Sequence, residues 1–177
     1  MDREAEFRRL FDAHRAAVHA YCTGRTGDRQ TAADLTQDVF LRVWQHLDKL
    51  RDMPGDGQRA WIFTVARNLS IDAGRHARTL TETEDAVARE PDTRRPGAPA
   101  SAPVIAAERV AVVGKAIGRL PEDQRVALTM AAAGTMTSAE IAAVLGVPAG
   151  TVRYRLSLAR HALAAALDDY DRQGEER

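Results

Sequence analysis

Apolar residues recur at helical spacing along most of the chain, and this pattern predicts helices separated by short polar breaks. The first apolar stripe consists of Phe7, Leu10, Phe11, His14, Val18 and Tyr21. A polar segment over 23–30 predicts a turn after this helix. Thr31 and Asp34 then match a capping box, which predicts that a second helix opens there and runs to about Leu47.

A looser segment separates the second helix from a third one. Pro54, Gly55 and Gly57 fall close together within residues 48–59, and they predict an irregular loop. The third helix is predicted from about residue 60 to residue 75.

These patterns divide the chain into two small helical domains, 1–78 and 104–167. Between them, residues 79–103 hold four prolines and little apolar content, which predicts a flexible linker. Residues 168–177 predict a frayed polar tail. Only 5% of the residues are aromatic while alanine, leucine and valine abound, so we expect an all-α fold with no sheet.

The clearest local pattern is TSAEIAAVLGVPAGTVRYRLSLAR over 137–160. Thr137 and Glu140 predict a capping box, and Gly146 predicts the end of that helix. In the next helix the predicted inward positions are Val152, Leu156, Ala159 and Leu163. This layout describes a helix-turn-helix that binds DNA, but also an ordinary αα-hairpin. Residues 141–167 contain three arginines and no acid. This favours the DNA-binding interpretation, because a surface that binds phosphates needs positive charge without negative charge.

Charge is distributed unevenly in the first domain, although the whole chain is neutral. Residues 57–78 carry four arginines and one acid, while residues 34–56 carry five acids and three bases. The second helix is predicted to bury Leu35, Val39, Val43 and Leu47. Its opposite, mixed polar face consists of Asp34, Gln37, Asp38, Leu41, Arg42 and Gln45. The third helix turns Arg67, Asn68 and Arg75 outward, and these side chains offer donors to phosphates and bases.

These motifs resemble a known family. ADLTQDVFLRVWQHLDKL over 33–50 followed by RAWIFTVARNLSIDAGR over 59–75 resembles the second region of bacterial sigma factors. LPEDQRVALTM over 120–130 followed by the helix-turn-helix resembles their fourth region. Only these two regions occur, joined by a short linker, which is typical of the extracytoplasmic-function sigma factors.

The resemblance implies a subunit that binds core RNA polymerase at the β′ coiled coil and the β flap, recognises two promoter elements and helps to open the DNA. The residues implied for docking on the β′ coiled coil are Asp34, Gln37, Asp38, Leu41 and Arg42. Those implied for the −10 element are Arg59, Trp61, Arg67, Asn68 and Arg75. Those implied for the −35 element are Thr151, Arg153, Tyr154, Arg155, Ser157 and Arg160.

Several of these residues keep two interpretations. Arg153 is the expected base reader, whereas Arg160 suits either a phosphate or an ion pair at the edge of the core. Trp61 can stack on a base or cover the core. Asn68 can contact DNA or bridge groups within the fold, and Asp72 is expected to pair with an arginine.

Two positions depart from the family pattern. Many relatives have serine where Tyr154 stands and a basic residue where Leu158 stands. We therefore expect an unusual −35 sequence, or a weaker dependence on that element. The acids of the linker over 79–103 either mimic nucleic acid near the polymerase active site or belong to a plain connector. Most relatives are held by an anti-sigma factor, so we expect one as a further partner.

Two other classes of protein fit the sequence less well. A dimeric helix-turn-helix regulator would leave the motifs of the first domain without a role. For an enzyme, the five histidines have no metal-ligand spacing and no nucleophile motif is present. We therefore expect no catalytic residue, metal, cofactor or small-molecule substrate. Cys22 and His14 are predicted to be buried in the core. Without a signal sequence or an apolar span, we expect a cytoplasmic protein without membrane insertion.

Overall fold

A computed structural model of the protein describes residues 2–83, 102–133 and 136–175, with side chains for 2–75, 108–133 and 136–173. The described residues form helices only, which agrees with the predicted all-α fold. In chain order the helices are α1 (Arg3–Thr26), α2 (Arg29–Gln45), α3 (Leu47–Arg51), α4 (Gly55–Thr83), α5 (Ala102–Arg119), α6 (Glu122–Ala132), α7 (Ser138–Leu145) and α8 (Ala149–Glu175).

Helices α1 to α4 form the N-terminal half, in which α1 and α2 pack against each other and both pack against α4. The predicted inward positions of α1 and α2 line this core. Side chains that are completely buried here include Leu10, Val18, Tyr21, Val39, Val43, Leu47, Ile62 and Phe63. Phe63 was not among the predicted core positions, and its ring meets Tyr21 edge-on at 5.9 Å.

The break between α1 and α2 is much shorter than the turn predicted over 23–30. Gly27 adopts the left-handed conformation at φ +69°, and Asp28 immediately caps α2. The Asp28 carboxylate accepts from the backbone amide of Thr31 at 2.7 Å and from its hydroxyl at 2.6 Å. The predicted capping box of Thr31 with Asp34 is therefore wrong, because Asp28 satisfies these donors one turn earlier.

The predicted loop over 48–59 is also mostly wrong. Helix α3 occupies its first part, and α4 begins at Gly55, directly after Pro54. Proline ahead of a helix costs little, since the amides of a first turn have no partner within the helix. The buried side-chain amide of Gln58 donates to the Leu50 backbone carbonyl at 2.9 Å, which fixes the turn between α3 and α4.

Helices α5 to α8 form the C-terminal half, in which α8 packs against α5, α6 and α7. Helix α8 continues to Glu175, so the prediction of a frayed tail over 168–177 is wrong for most of that range. The Tyr170 hydroxyl donates to Glu108, and Arg109 pairs with Asp171 at 3.1 Å. These contacts with α5 stabilise the extra helical turns.

The predicted linker over 79–103 is shorter at both ends, because α4 extends to Thr83 and α5 starts at Ala102. Residues 84–101 lie outside the described part of the chain. The predicted role of the linker in the polymerase stays a prediction.

The two halves contact each other through α1 with α6 and α4 with α7. Their buried apolar side chains belong to one continuous cluster. Gly24 of α1 makes this approach possible, since a Cβ at this position would lie 2.9 Å from the methyl group of Thr129 in α6. Arg25 also pairs with Glu122 across the same contact.

Candidate nucleic-acid and polymerase interface

The outward face of α2 holds the side chains predicted to dock on polymerase. All of them are exposed: Asp34, Gln37, Asp38, Leu41 and Arg42. Their spacing of three and four residues places them on one face of the helix. Leu41 is 54% exposed, and it forms an apolar point between polar neighbours. This face can therefore combine a desolvated apolar contact with a rim of charges.

An aromatic groove that sequence reasoning missed continues this face towards α1. Trp44 is 38% exposed, and its ring meets Phe7 edge-on at 5.3 Å. The Arg3 guanidinium lies 5.1 Å from the centre of the Trp44 ring. The groove has a volume of about 440 Å³, and its lining consists of Glu4, Phe7, Arg8, Phe11, Asp12 and Trp44. The signal available in the sequence was that Trp44 follows Leu41 by three residues, hence on the same face.

The residues predicted for the −10 element all lie on α4. Asn68 and Arg75 are exposed, whereas Arg59, Trp61 and Arg67 are half-buried. Arg59 pairs with Glu140 of α7 at 3.0 Å. The N-terminal end of this surface therefore contacts the C-terminal half, while the side chains of Asn68 and Arg75 are exposed to solvent.

Trp61 and Asp72 of α4 both have partners within the fold. Trp61 packs against the hydrophobic core while its ring lies 5.4 Å from that of His46, so it covers the core. Asp72 pairs with Arg75 at 3.6 Å, which confirms the expectation of an arginine partner.

The helix-turn-helix forms as predicted. The Thr137 hydroxyl accepts from the Glu140 amide, and the Glu140 carboxylate accepts from the Thr137 amide at 2.7 Å. The pKa of Glu140 lies below its usual range, chiefly because the Thr137 backbone amide donates to it and also because Arg59 is close. Gly146 ends α7 at φ +66°. Helix α8 then buries Val152, Leu156 and Ala159, as predicted, with Leu163 half-buried.

The outward face of α8 carries the residues predicted for the −35 element. Those exposed to solvent are Arg153, Tyr154, Ser157 and Arg160, while Thr151 is half-buried. Arg155 turns towards α6 instead, where its Nε lies 2.9 Å from Asp123 Oδ2. Leu158, where many relatives have a basic residue, is 38% exposed beside this surface.

The structure brings residues of the two predicted promoter surfaces to one cleft between the halves. Arg67 and Arg75 of α4 line one side, and Arg155 of α8 lines the other. Arg25 and Arg125 complete its basic lining. Sequence reasoning assigned no role to these last two arginines.

The remaining ionisable core residues fit structural roles. His14 is buried, and burial together with the charges of Arg59 and Arg9 lowers its pKa. Cys22 is completely buried, and burial raises the pKa of its thiol to about 11. Within the described ranges, no three His, Cys, Asp or Glu side chains gather as a metal site would require. No helix in the described segments has the length and apolarity needed to span a membrane.

Each half of the chain matches a known sequence family. The sequence family described as Sigma-70 region 2 matches residues 10–79, and the one described as Sigma-70, region 4 matches residues 111–163. The chain is 33% identical over 165 residues to the ECF RNA polymerase sigma factor SigL of Mycobacterium tuberculosis, covering 93% of this chain and 90% of that protein. It is 36% identical over 157 residues to the ECF RNA polymerase sigma factor RpoE of Cereibacter sphaeroides, covering 88% and 83%.

The fold is similar to that of a solved sigma factor complex. The sigma factor RpoE from Bartonella quintana, co-crystallised with the anti-sigma factor NepR, superposes with a TM-score of 0.73 at 26% identity. The likeness covers 92% of this chain and 96% of that one, and thus extends over both halves.

Proposed function

Since the chain belongs to the extracytoplasmic-function sigma factors of RNA polymerase, we propose how its surfaces divide the work of promoter recognition. Residues 1–78 act as region 2, which binds core polymerase and opens the −10 element. Residues 104–167 act as region 4, which reads the −35 element. The observation that carries this division is that α2, α4 and α8 each present a separate polar face with the chemistry its task requires.

The face of α2 docks on the coiled coil of the polymerase β′ subunit. Leu41 and the neighbouring Trp44 supply apolar area, while Asp34 and Asp38 supply charge that attracts a basic partner. Apolar anchors within a polar rim are typical of protein interfaces. The C-terminal half docks on the β flap by analogy with the family.

The face of α4 binds the −10 element as a single strand. Asn68 offers an amide for a base edge, and Arg67 and Arg75 bind phosphates. A flipped base costs a few kcal/mol of lost stacking, which the contacts of its pocket must offset. The turn over 52–54 and the start of α4 stand beside this face and form the wall of that pocket. Trp61 limits stacking to the part of its ring that faces away from the core.

The face of α8 enters the major groove of the −35 element. Arg153 and Tyr154 stand in the first two turns of α8, where a recognition helix contacts base edges. Ser157 and Arg160 follow on the same face, and Thr151 lies near the helix N-terminus, where a phosphate is bound favourably. Arg155 must break its ion pair with Asp123 before it can bind a phosphate of the −35 element.

The arrangement of the two halves must change when the promoter is bound. Two elements centred about 25 base pairs apart are separated by roughly 85 Å of duplex, at about 3.4 Å per pair. The Arg59–Glu140 pair holds the −10 surface in contact with the helix-turn-helix. The compact form is therefore the free or inhibited state, and core polymerase separates the halves.

The protein works in the cytoplasm as a specificity subunit and not as an enzyme, and an anti-sigma factor holds it inactive. What supports this is the family membership and the likeness to a sigma factor bound by NepR. The dimeric-regulator alternative is not favoured, since family matches cover both halves of the chain.

Run-off transcription with purified core polymerase tests the proposal. We expect the full chain to bind core and to produce defined transcripts from a genomic fragment library. A chain that neither binds core nor supports any promoter-dependent transcript would overturn the assignment. Core binding without transcripts would leave the α2 assignment standing and overturn those of α4 and α8.

A further inference from the structure

An arginine-lined cleft lies between the two halves of the molecule, and two of its arginines, Arg25 and Arg125, have no part in the proposed promoter contacts. The cleft has a volume of about 960 Å³, within the usual size range of small-ligand sites. Five arginines and two acids line it, an excess of three positive charges; Asp72, which pairs with Arg75, lies outside the lining. The charged lining residues are Arg25, Arg67, Arg75, Arg125, Arg155, Glu122 and Asp123.

Arg25 is the anchor of this cleft. Its side chain is only 7% exposed, and one of its terminal nitrogens, Nη2, pairs with Glu122. Its Nε and Nη1 are buried and have no hydrogen-bond partner among the described residues. A guanidinium keeps its charge and offers five N–H donors, so burying it with donors unused is unfavourable unless an acceptor binds there.

Two further arginines add unused donors from other helices. The Nε atoms of Arg67 and Arg125 are buried without a partner in the described part of the chain. Nη2 of Arg125 pairs with the carboxylate of Glu122, which also pairs with Arg25. Of these three guanidinium groups, which come from α1, α4 and α6, Arg25 and Arg125 share the Glu122 carboxylate. Arg67 forms no ion pair among the described residues.

This donor set matches the chemistry of phosphate. Guanidinium forks bind phosphate oxygens through paired, charge-assisted hydrogen bonds, and several forks can hold linked phosphates. Apolar side chains of Leu120, Val126, Leu145 and Val147 line the same cleft. They provide a surface for a ring attached to such phosphates, because ligand sites combine apolar walls with a few convergent polar groups.

We propose that this cleft binds a small ligand with two or more linked phosphates, of the nucleoside polyphosphate class, on Arg25, Arg67 and Arg125. Arg25 and Arg67 come from the N-terminal half and Arg125 from the C-terminal half, so one ligand bridges both. The bound ligand stabilises the compact form. It also occupies Arg67, which the −10 strand needs under the proposed function, and therefore opposes promoter binding.

Titration calorimetry of the full chain with inorganic orthophosphate, triphosphate and ATP tests this site. Measurements at about 50 mM and about 150 mM salt separate site binding from loose attraction, since screening at the higher salt acts beyond about 8 Å. We expect saturable binding of one triphosphate or ATP per chain at both salts, tighter than that of orthophosphate. Small-angle scattering should show that triphosphate leaves the chain compact.

Arginine variants locate the site. Arg125→Gln and Arg25→Met should each weaken triphosphate binding at least about tenfold, the loss expected for one charge-assisted contact. The control Arg8→Gln removes an exposed arginine of α1 that pairs only with Glu4 in the described structure, and should change nothing. If thermal unfolding shows that Arg25→Met does not fold, Arg125→Gln and Arg125→Lys decide the question.

Three results would overturn the proposal: no saturable binding, an equal loss in Arg8→Gln, or arginine variants that keep triphosphate binding but lose affinity for single-stranded promoter DNA. The last would identify the DNA backbone as the occupant. Calorimetry needs no polymerase, so failure of this site is distinguishable from failure of the proposed sigma activity.

Discussion

Arg59 of α4 and Glu140 of α7 form an ion pair in which Nη1 lies 3.0 Å from Oε1. The other oxygen of the same carboxylate, Oε2, accepts from the backbone amide of Thr137 at 2.7 Å and so closes the capping box of α7. The Glu140 side chain thus caps the first helix of the helix-turn-helix. It also pairs with Arg59, which is predicted to contact the −10 element. The two promoter-reading halves are coupled through that carboxylate.

Glu140→Gln should weaken the contact between the two halves while leaving α7 intact, since the shared apolar cluster and the Arg25–Glu122 pair remain. The amide oxygen of glutamine can still accept from Thr137, but the charge that attracts Arg59 is gone. We expect a larger radius of gyration by small-angle scattering and a loss of stability below about 1 kcal/mol, since the pair is partly exposed.

Two controls separate the ion pair from the cap. Glu140→Ala removes both and should cost about 1 kcal/mol more than Glu140→Gln. Thr137→Ala weakens the cap but keeps the pair, so the chain should stay compact. A Glu140→Gln protein as compact as the wild type would show that the apolar contacts alone hold the halves together.

His14 should make stability depend on pH in the mildly acidic range. Burial, with the charges of Arg59 and Arg9, puts its folded-state pKa below the usual value of 6.5. The unfolded chain then binds the proton more readily, so stability is full above about pH 6.5 and declines as pH falls towards the folded-state pKa. Urea unfolding between pH 5 and pH 7.5 measures this slope. His14→Gln should flatten it; an unchanged slope would assign the effect to other groups.

Arg153→Ala should relax −35 preference without affecting core binding. A bidentate arginine–guanine contact contributes about 1–3 kcal/mol of discrimination, which the variant should lose at one position of the element. Competition between wild-type and base-substituted promoters with reconstituted holoenzyme measures the change. The control Arg160→Ala removes an exposed arginine of the same face and should weaken binding to all promoter sequences by a similar factor. Loss of core binding by Arg153→Ala would contradict the division of roles.

Leu41→Ser should weaken binding to core polymerase while leaving stability within about 0.5 kcal/mol, because the side chain is largely exposed. Val110→Ser is the matched control, since Val110 is 71% exposed but lies on α5. Affinity for core is measured with labelled sigma and purified polymerase. An equal loss for both variants would mean that the face of α2 has no special part in docking.

Gly146→Ala should destabilise the helix-turn-helix through the backbone alone. Gly146 has φ +66°, and no atom lies within 4 Å of the place that a Cβ would take, so the cost is the left-handed conformation, about 1–2 kcal/mol. Gly114→Ala is the opposite control: its position is helical and open, and alanine there should stabilise by about 0.5–1 kcal/mol. Urea unfolding of both variants measures whether the free energy of unfolding falls in Gly146→Ala and rises in Gly114→Ala.

Local patterns predicted the helices well where one signal dominated. The Thr137–Glu140 box and Gly146 fixed the bounds of α7, since capping needs only groups within a few residues. Predictions failed where local signals competed. Asp28 outcompeted Thr31 as a cap, and Pro54 opened a helix where a loop was expected.

Periodicity also separated the exposed face of α2 from its buried one, because a helix places residues three and four apart on one side whatever surrounds it. The sequence by itself therefore determined the all-α class, the helix-turn-helix and the outward faces of α2 and α8. Only the tertiary structure decided which charges meet. Arg25 with Glu122 and Arg59 with Glu140 are separated by 97 and 81 residues along the chain. No local pattern encodes such pairs, since they depend on how α1 packs on α6 and α4 on α7, and it is this packing that gathers five arginines around one cleft.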